Sequence, residues 1–194
     1  MRPKNTLIWG VLLGLTAGIV AGAGAYELGI EYSCPKSICV DSARITPVTD
    51  RGYYDAAHKI ISGAEESVHI VAFEIKYYRQ QPGSRQNAII EDLIEAKKRG
   101  VDVKVLVDEY STNNNAHSKL RQNGIPVIVD DNKTTTHAKL IIVDGKATLL
   151  GSTNLSYFAL EKNNEANILI EDRKTAQHFE RYFQQLWENA QKRI

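Results

Sequence analysis

From residue 43 onward, apolar runs alternate with amphipathic stretches, a pattern that predicts an α/β domain. Tyr53 to Ala64 carries Ala56, Ile60 and Ile61 at helical spacing, which predicts a helix with those residues inward. Val68 to Ile75 is nearly all apolar, as expected of a strand buried on both faces. Ile89, Ile90, Leu93 and Ile94 form the inner stripe of a second helix that stops at Gly100. Val103 to Val107 and Val127 to Val129 read as short strands, separated by a polar stretch with room for a brief helix. His137 to Val143 and Ala147 to Leu150, joined by Asp144-Gly145, predict a hairpin, and Ala166 to Ile170 a further strand. A last helix, about Lys174 to Lys192, turns Phe179, Tyr182, Phe183, Leu186 and Trp187 to one side. No internal repeat is visible. The expected architecture is a mixed central sheet flanked by helices.

The chain before residue 43 has a different character. Residues 7–25 contain no charge and follow Arg2 and Lys4. As a helix this run spans about 28 Å, close to the hydrocarbon thickness of a bilayer, with the positive flank on the cytoplasmic side. Two readings stay open: a single transmembrane anchor, or a cleaved signal segment, since Ala21-Gly22-Ala23 and Ala23-Gly24-Ala25 resemble cleavage sites. Both export the domain, as a single-pass membrane protein or as a secreted one. Gly10, Gly14, Gly18 and Gly22 recur every fourth residue, a strip along which two such helices could approach. Residues 26–42 read as a linker, and Cys34 and Cys39 within it form a possible disulfide in an oxidising compartment. The catalytic domain is expected over residues 43–194.

Composition narrows the function. With 24 basic and 23 acidic residues the net charge is +1, and setting aside Arg2 and Lys4 leaves 22 basic residues after residue 25. A polycation that coats nucleic acid is excluded; an anionic substrate must be held by a few placed cations. No His-Glu-x-x-His and no acidic cluster occur, so neither a metal site nor a cofactor is expected.

One stretch is not explained by packing. His137 and Lys139 are two apart on a predicted strand and therefore project to one face. An imidazole beside an ammonium on a buried strand loses hydration, a cost that an anion between them offsets. Gly151-Ser152-Thr153-Asn154 follows the next strand and offers a close backbone approach, a hydroxyl and an amide. Glu165 opens the strand after that and could orient an imidazole. Lys76, Arg79 and Arg85 lie in a polar loop after a buried strand, either simply solvated or a substrate rim.

The spacing His137-x-Lys139-x4-Asp144-x6-Gly151-Ser152-x-Asn154 resembles the motif of the phospholipase D superfamily, with every fixed position present. The similarity extends from about Ala43 to the C-terminus and includes Asn164-Glu165. Larger members carry two motifs; this chain has one, like the small endonucleases and the mitochondrial outer-membrane enzymes that dimerise across the active site. The resemblance implies a homodimer with a shared site and a phosphohistidine on His137. Lys139 and Asn154 would surround the phosphate, Ser152 would position imidazole or phosphate, and Glu165 would hydrogen-bond His137. Asp144 is expected to hold the hairpin together, with Gly151 as the second structural position. The expected substrate is a phosphodiester in DNA or RNA. A phospholipid head group is the alternative, favoured by an anchor at residues 7–25.

Overall fold

The computed structural model describes residues 42–111, 115–130 and 133–192. The anchor or signal segment, the glycine strip and both cysteines lie outside the described residues. Among the described residues, no helix is long and apolar enough to cross a membrane.

Seven strands form one sheet: β1 (Arg44–Thr49), β2 (Ser67–Ala72), β3 (Asp102–Val107), β4 (Val127–Val129), β5 (Lys139–Val143), β6 (Ala147–Gly151) and β7 (Ala166–Glu171). Their order is β1-β7-β6-β5-β2-β3-β4. Strands β2, β3 and β4 run parallel, while β5, β6, β7 and β1 continue the sheet antiparallel. This is the mixed sheet expected.

Helices α1 (Gly52–Ser62), α2 (Arg85–Lys98), α3 (Asn115–Gln122) and α4 (Tyr157–Glu161) supply residues to the core on one face, together with Ile70, Val105 and Ile141. Helix α5 (Arg173–Gln191) packs Phe183 and Trp187 against Val71, Leu106, Leu140 and Ile142 on the other. The odd–even alternation of β5 thus divides between two cores, which is why its sequence is uniformly apolar. Burying Phe183 and Trp187 at roughly 25 cal/mol per Å² contributes several kcal/mol, enough to fix α5 to the sheet.

Three expectations need correction. On α1, Ile61 is buried as expected, but its companions on the inner stripe are Tyr53 and Ala57, with Ala56 and Ile60 only partly buried. The strand expected to reach Ile75 ends at Ala72; Phe73 to Ile75 leave the ladder, and Ile75 forms an isolated bridge with Leu155. Tyr182, expected on the packed side of α5, is 39% exposed. Two elements were not anticipated. Strand β1 is a sheet edge on which only Val48 is buried, and Pro47 is tolerated there because an edge strand has one free hydrogen-bonding side. Helix α4 spans 5 residues, too short for a periodic signature.

Candidate functional site

The β5–β6 hairpin carries the motif at both ends. Asp144 and Gly145 both adopt positive φ, 53° and 55°, at the centre of a tight turn closed by the Lys146 N–H on the Val143 carbonyl at 2.9 Å. The Asp144 carboxylate accepts backbone N–H groups of Glu66 at 2.8 Å, Ser67 at 2.9 Å and Glu65 at 3.1 Å. Burial works against its charge, but those donors and Lys146 outweigh it and hold the carboxyl below its ordinary range. Asp144 therefore ties the turn to the start of β2, at the end of the hairpin away from His137.

At the other end, His137 is exposed and Lys139 half-buried. The Lys139 ammonium donates to the His137 carbonyl at 2.8 Å and lies 3.2 Å from its Nδ1. Burial lowers the Lys139 pKa, and the carboxylates of Glu165, Glu74 and Asp108 offset this only in part. A lysine kept partly desolvated among carboxylates gains more from an arriving phosphate than a fully hydrated one would. Phe73 forms the floor: its ring lies 4.5 Å from the His137 ring and 4.8 Å from the Lys139 nitrogen.

Gly151 closes β6 opposite Asn167, where the strands approach so closely that a Cβ would lie 2.5 Å from the Ala166 carbonyl. That approach lets Asn167 donate to the Thr153 hydroxyl at 2.8 Å and accept its N–H at 3.2 Å, fixing the turn that presents Ser152 and Asn154. The Ser152 hydroxyl donates to the Glu165 carboxylate and accepts the Ala166 N–H at 3.1 Å. Glu165 also accepts from the Asn163 amide at 3.1 Å. Its hydrogen bonds thus go to Ser152 and Asn163 rather than to His137: the serine, anchored by the Ala166 N–H, is the nearer donor. The amide oxygen of Asn154 is buried with no hydrogen-bond partner among the described residues. An unpaired buried amide oxygen is costly, and it takes an N–H or O–H donor to satisfy it.

The expected rim divides. Lys76 is ion-paired with Glu74, and Arg85 donates to Glu161 at 2.6 Å across α2 and α4. Arg79 lines a separate cleft of about 310 Å³ with Tyr77 and Lys119. The remaining histidines play other parts. His69 is buried, stacked on Phe183 and bonded to Glu180 at 2.7 Å. His58 pairs with Asp92 at 2.8 Å, and His178 is exposed. Burial and the nearby Arg121 push His117 down to about 4, leaving it neutral near pH 7.

Two site residues were missed from the sequence. Asp108, 3% exposed at the end of β3, accepts the Thr136 N–H at 2.7 Å and the Tyr110 N–H at 2.9 Å, holding the approach to His137. The signal was its place just after an apolar strand run. Phe73 gave no signal, since its contact with His137 depends on β2 lying beside β5.

A profile described as "Cardiolipin synthase, PLD-like domain" matches residues 58–187, which include every motif position. The chain belongs to the phospholipase D superfamily. It is 35% identical over 191 residues to a phospholipase D of Rickettsia prowazekii, covering 92% of each chain. It is 33% identical over 106 residues to a mitochondrial cardiolipin hydrolase of Chlamydomonas reinhardtii, covering 52% of this chain and 46% of that one. Its fold matches Nuc, a phospholipase D family member from Salmonella typhimurium, with a TM-score of 0.67 and 27% identity over 76% of this chain and 96% of that one. NucT from Helicobacter pylori matches with a TM-score of 0.64 at 21% identity, over 76% of this chain and 98% of that one, which supports the fold alone. As a superfamily member, the protein is a phosphodiester hydrolase.

Proposed function

We propose that the protein is a nuclease that hydrolyses phosphodiesters of DNA or RNA as a homodimer with a shared active site. The observation that carries the shared site is its incompleteness: one exposed imidazole, one half-buried lysine, and an Asn154 amide oxygen with no partner among the described residues. Double displacement needs a nucleophile and a separate leaving-group acid, and one motif supplies a single imidazole. A two-fold axis through the site brings a second His137 to the far side of the phosphate.

In this reaction a His137 nitrogen attacks phosphorus, and the bond to the leaving oxygen breaks. The partner's His137, protonated, gives its proton to that oxygen. The same imidazole, now neutral, takes a proton from water, which attacks the phosphohistidine and releases His137 with a phosphomonoester. Two Lys139 ammonium groups and two Asn154 amides surround the non-bridging oxygens and stabilise the charge that grows there. Ser152 and Glu165 act as one unit that positions the groups around Lys139.

The single motif, shared with the small endonucleases that the sequence resembles, supports nucleic acid as substrate. The second reading, a phospholipase cleaving head groups, draws support from the Rickettsia prowazekii relative. In either case we read residues 7–25 as exporting the domain, so that it works outside the cytoplasm.

A forced heterodimer of one wild-type subunit and one His137→Asn subunit tests the shared site. Separate sites predict about half the activity; a shared site predicts almost none toward a natural diester, with phosphohistidine still formed from a nitrophenyl diester. Half activity toward the natural diester refutes the model. Turnover of oligonucleotides against phosphatidyl vesicles decides the substrate.

A further inference from the structure

Tyr110 is 72% exposed, yet it is held more firmly than its exposure suggests. It sits in a single 3-10 turn, Glu109–Ser111, directly after β3. The Tyr110 N–H donates to Asp108 at 2.9 Å, and the Glu109 N–H to Asp130 at 3.2 Å. The Ser111 N–H donates to the Asp108 carbonyl at 3.0 Å, and the Ser111 hydroxyl accepts the N–H of Ile75 at 3.1 Å. One ring face of Tyr110 lies on Phe73, with centroids 5.1 Å apart and planes 7° from parallel. Phe73 in turn touches the His137 ring at 4.5 Å. The result is a continuous line from an exposed aromatic face to the proposed nucleophile, with the ring centres of Tyr110 and His137 no more than about 10 Å apart.

A solvent-exposed aromatic ring on a pinned backbone loses little entropy when a flat partner covers it. An exposed aromatic face whose stacking partner Phe73 lies under His137 and Lys139 matches the chemistry of a nucleotide. The phosphate goes to Lys139 and the base to the ring.

We propose that Tyr110 is a stacking platform for the base next to the scissile phosphate, and that the substrate is single-stranded nucleic acid. The strand restriction follows from geometry: a base inside a duplex has both faces covered by its neighbours, whereas an unpaired base can turn one face to the ring. Asp108 serves as a positioning residue for both halves, because its carboxylate holds Tyr110 and Thr136 at once. This inference rests on the nuclease reading and deepens it.

The test compares two octanucleotides of equal charge, one all thymine and one entirely abasic, with the full-length chain. Wild type is expected to prefer the thymine strand in kcat/KM by about ten-fold or more. Tyr110→Ala should bring that preference to near unity, while Tyr110→Phe keeps it, since the ring and not the hydroxyl stacks. A preference unchanged in Tyr110→Ala overturns the inference. So does conversion of a wild-type dimer to monomer by that substitution in sedimentation, which would make Tyr110 a contact with a second copy. Weakened binding to anionic vesicles with the thymine preference intact overturns it in favour of a lipid surface. If wild type cleaves neither oligonucleotide, the nuclease reading itself fails and takes this inference with it.

Discussion

Replacing Gly151 with alanine adds one methyl group at the point where β6 meets β7. The added carbon would lie 2.3 Å from the Asn167 Oδ1, 2.5 Å from the Ala166 carbonyl oxygen and 2.6 Å from the Asn167 Cα. Two of those atoms are backbone, so no rotamer change relieves the contact. To restore ordinary van der Waals separation the strands must part by about 1 Å. That shift strains the bond from the Ser152 N–H to the Ala166 carbonyl, 3.1 Å long, and the paired bonds between Thr153 and Asn167. Overpacking costs about 1–3 kcal/mol. Weakening of the buried hydrogen bonds adds about 1 kcal/mol more. The expected loss is about 3 kcal/mol, which lowers Tm by roughly 6–12 °C in a domain of this size. Because Asn154 rides on the same turn, a displacement of about 1 Å should also reduce turnover roughly 100-fold. Calorimetric unfolding and steady-state kinetics read the two effects. Gly83→Ala is the control, since nothing lies within 4 Å of a Cβ there. A Tm within about 2 °C of wild type and turnover within two-fold would refute the reasoning.

Asp144→Asn keeps the shape and the tolerance for positive φ but removes the charge, so it should cost about 1 kcal/mol at pH 7 after allowing for solvent. The folded carboxyl lies below its unfolded value, so this contribution is complete above about pH 4 and fades as pH falls through the lowered value. Denaturant melts at pH 7 and pH 3 should show the gap between variant and wild type closing; a constant gap refutes the charge argument. The Lys139 ammonium lies below the ordinary lysine range because of burial, and above its pKa it stops attracting an anion. Titration calorimetry with inorganic phosphate should therefore show affinity falling with a midpoint below about 10.4, and Lys139→Arg should remove the fall. A midpoint at or above the ordinary value contradicts this. Hydrolysis should continue undiminished in excess chelator, and a loss restored by zinc or magnesium would assign the charge stabilisation to a metal.

What could be read in advance follows from what each signal measures. The β5–β6 hairpin was legible because a tight turn fixes spacing: residues at set intervals from Asp144 must reach set places. Helices α2 and α5 were legible because each buries one stripe against the sheet. Strand β1 was not, because a strand exposed on both faces except at Val48 has no pattern to read. Asp108, Phe73 and Tyr110 escaped for another reason. Phe73 meets His137, and Tyr110 and Asp108 come near it through Phe73 and Thr136, only because β3 and β5 flank β2, and strand order is not written in local periodicity. Glu165 shows the limit of spacing even within the motif: its distance along the chain suits His137, but the anchored Ser152 hydroxyl takes the carboxylate.

The position of the motif within the sheet bears on how the proposed half-site stays ready. His137 and Lys139 enter β5 and Gly151 to Asn154 leave β6, in the middle of seven strands, where β5 and β6 are paired on both sides. The exposed chemistry therefore rests on the most constrained backbone available, with the Asp144 turn pinned to β2 below. The carboxylates above it are mostly engaged elsewhere, Glu165 with Ser152, Glu74 with Lys76 and Asp108 with backbone N–H groups. Each is thereby a weak competitor for Lys139, which keeps its charge available to an incoming anion at little reorganisation cost. At the motif, the Asn154 amide oxygen has no hydrogen-bond partner among the described residues, and one motif supplies one imidazole. Rigid preparation of one half with those two wants left open is the arrangement expected of a site completed by symmetry. In that arrangement a loose hairpin would be penalised twice, once in each subunit.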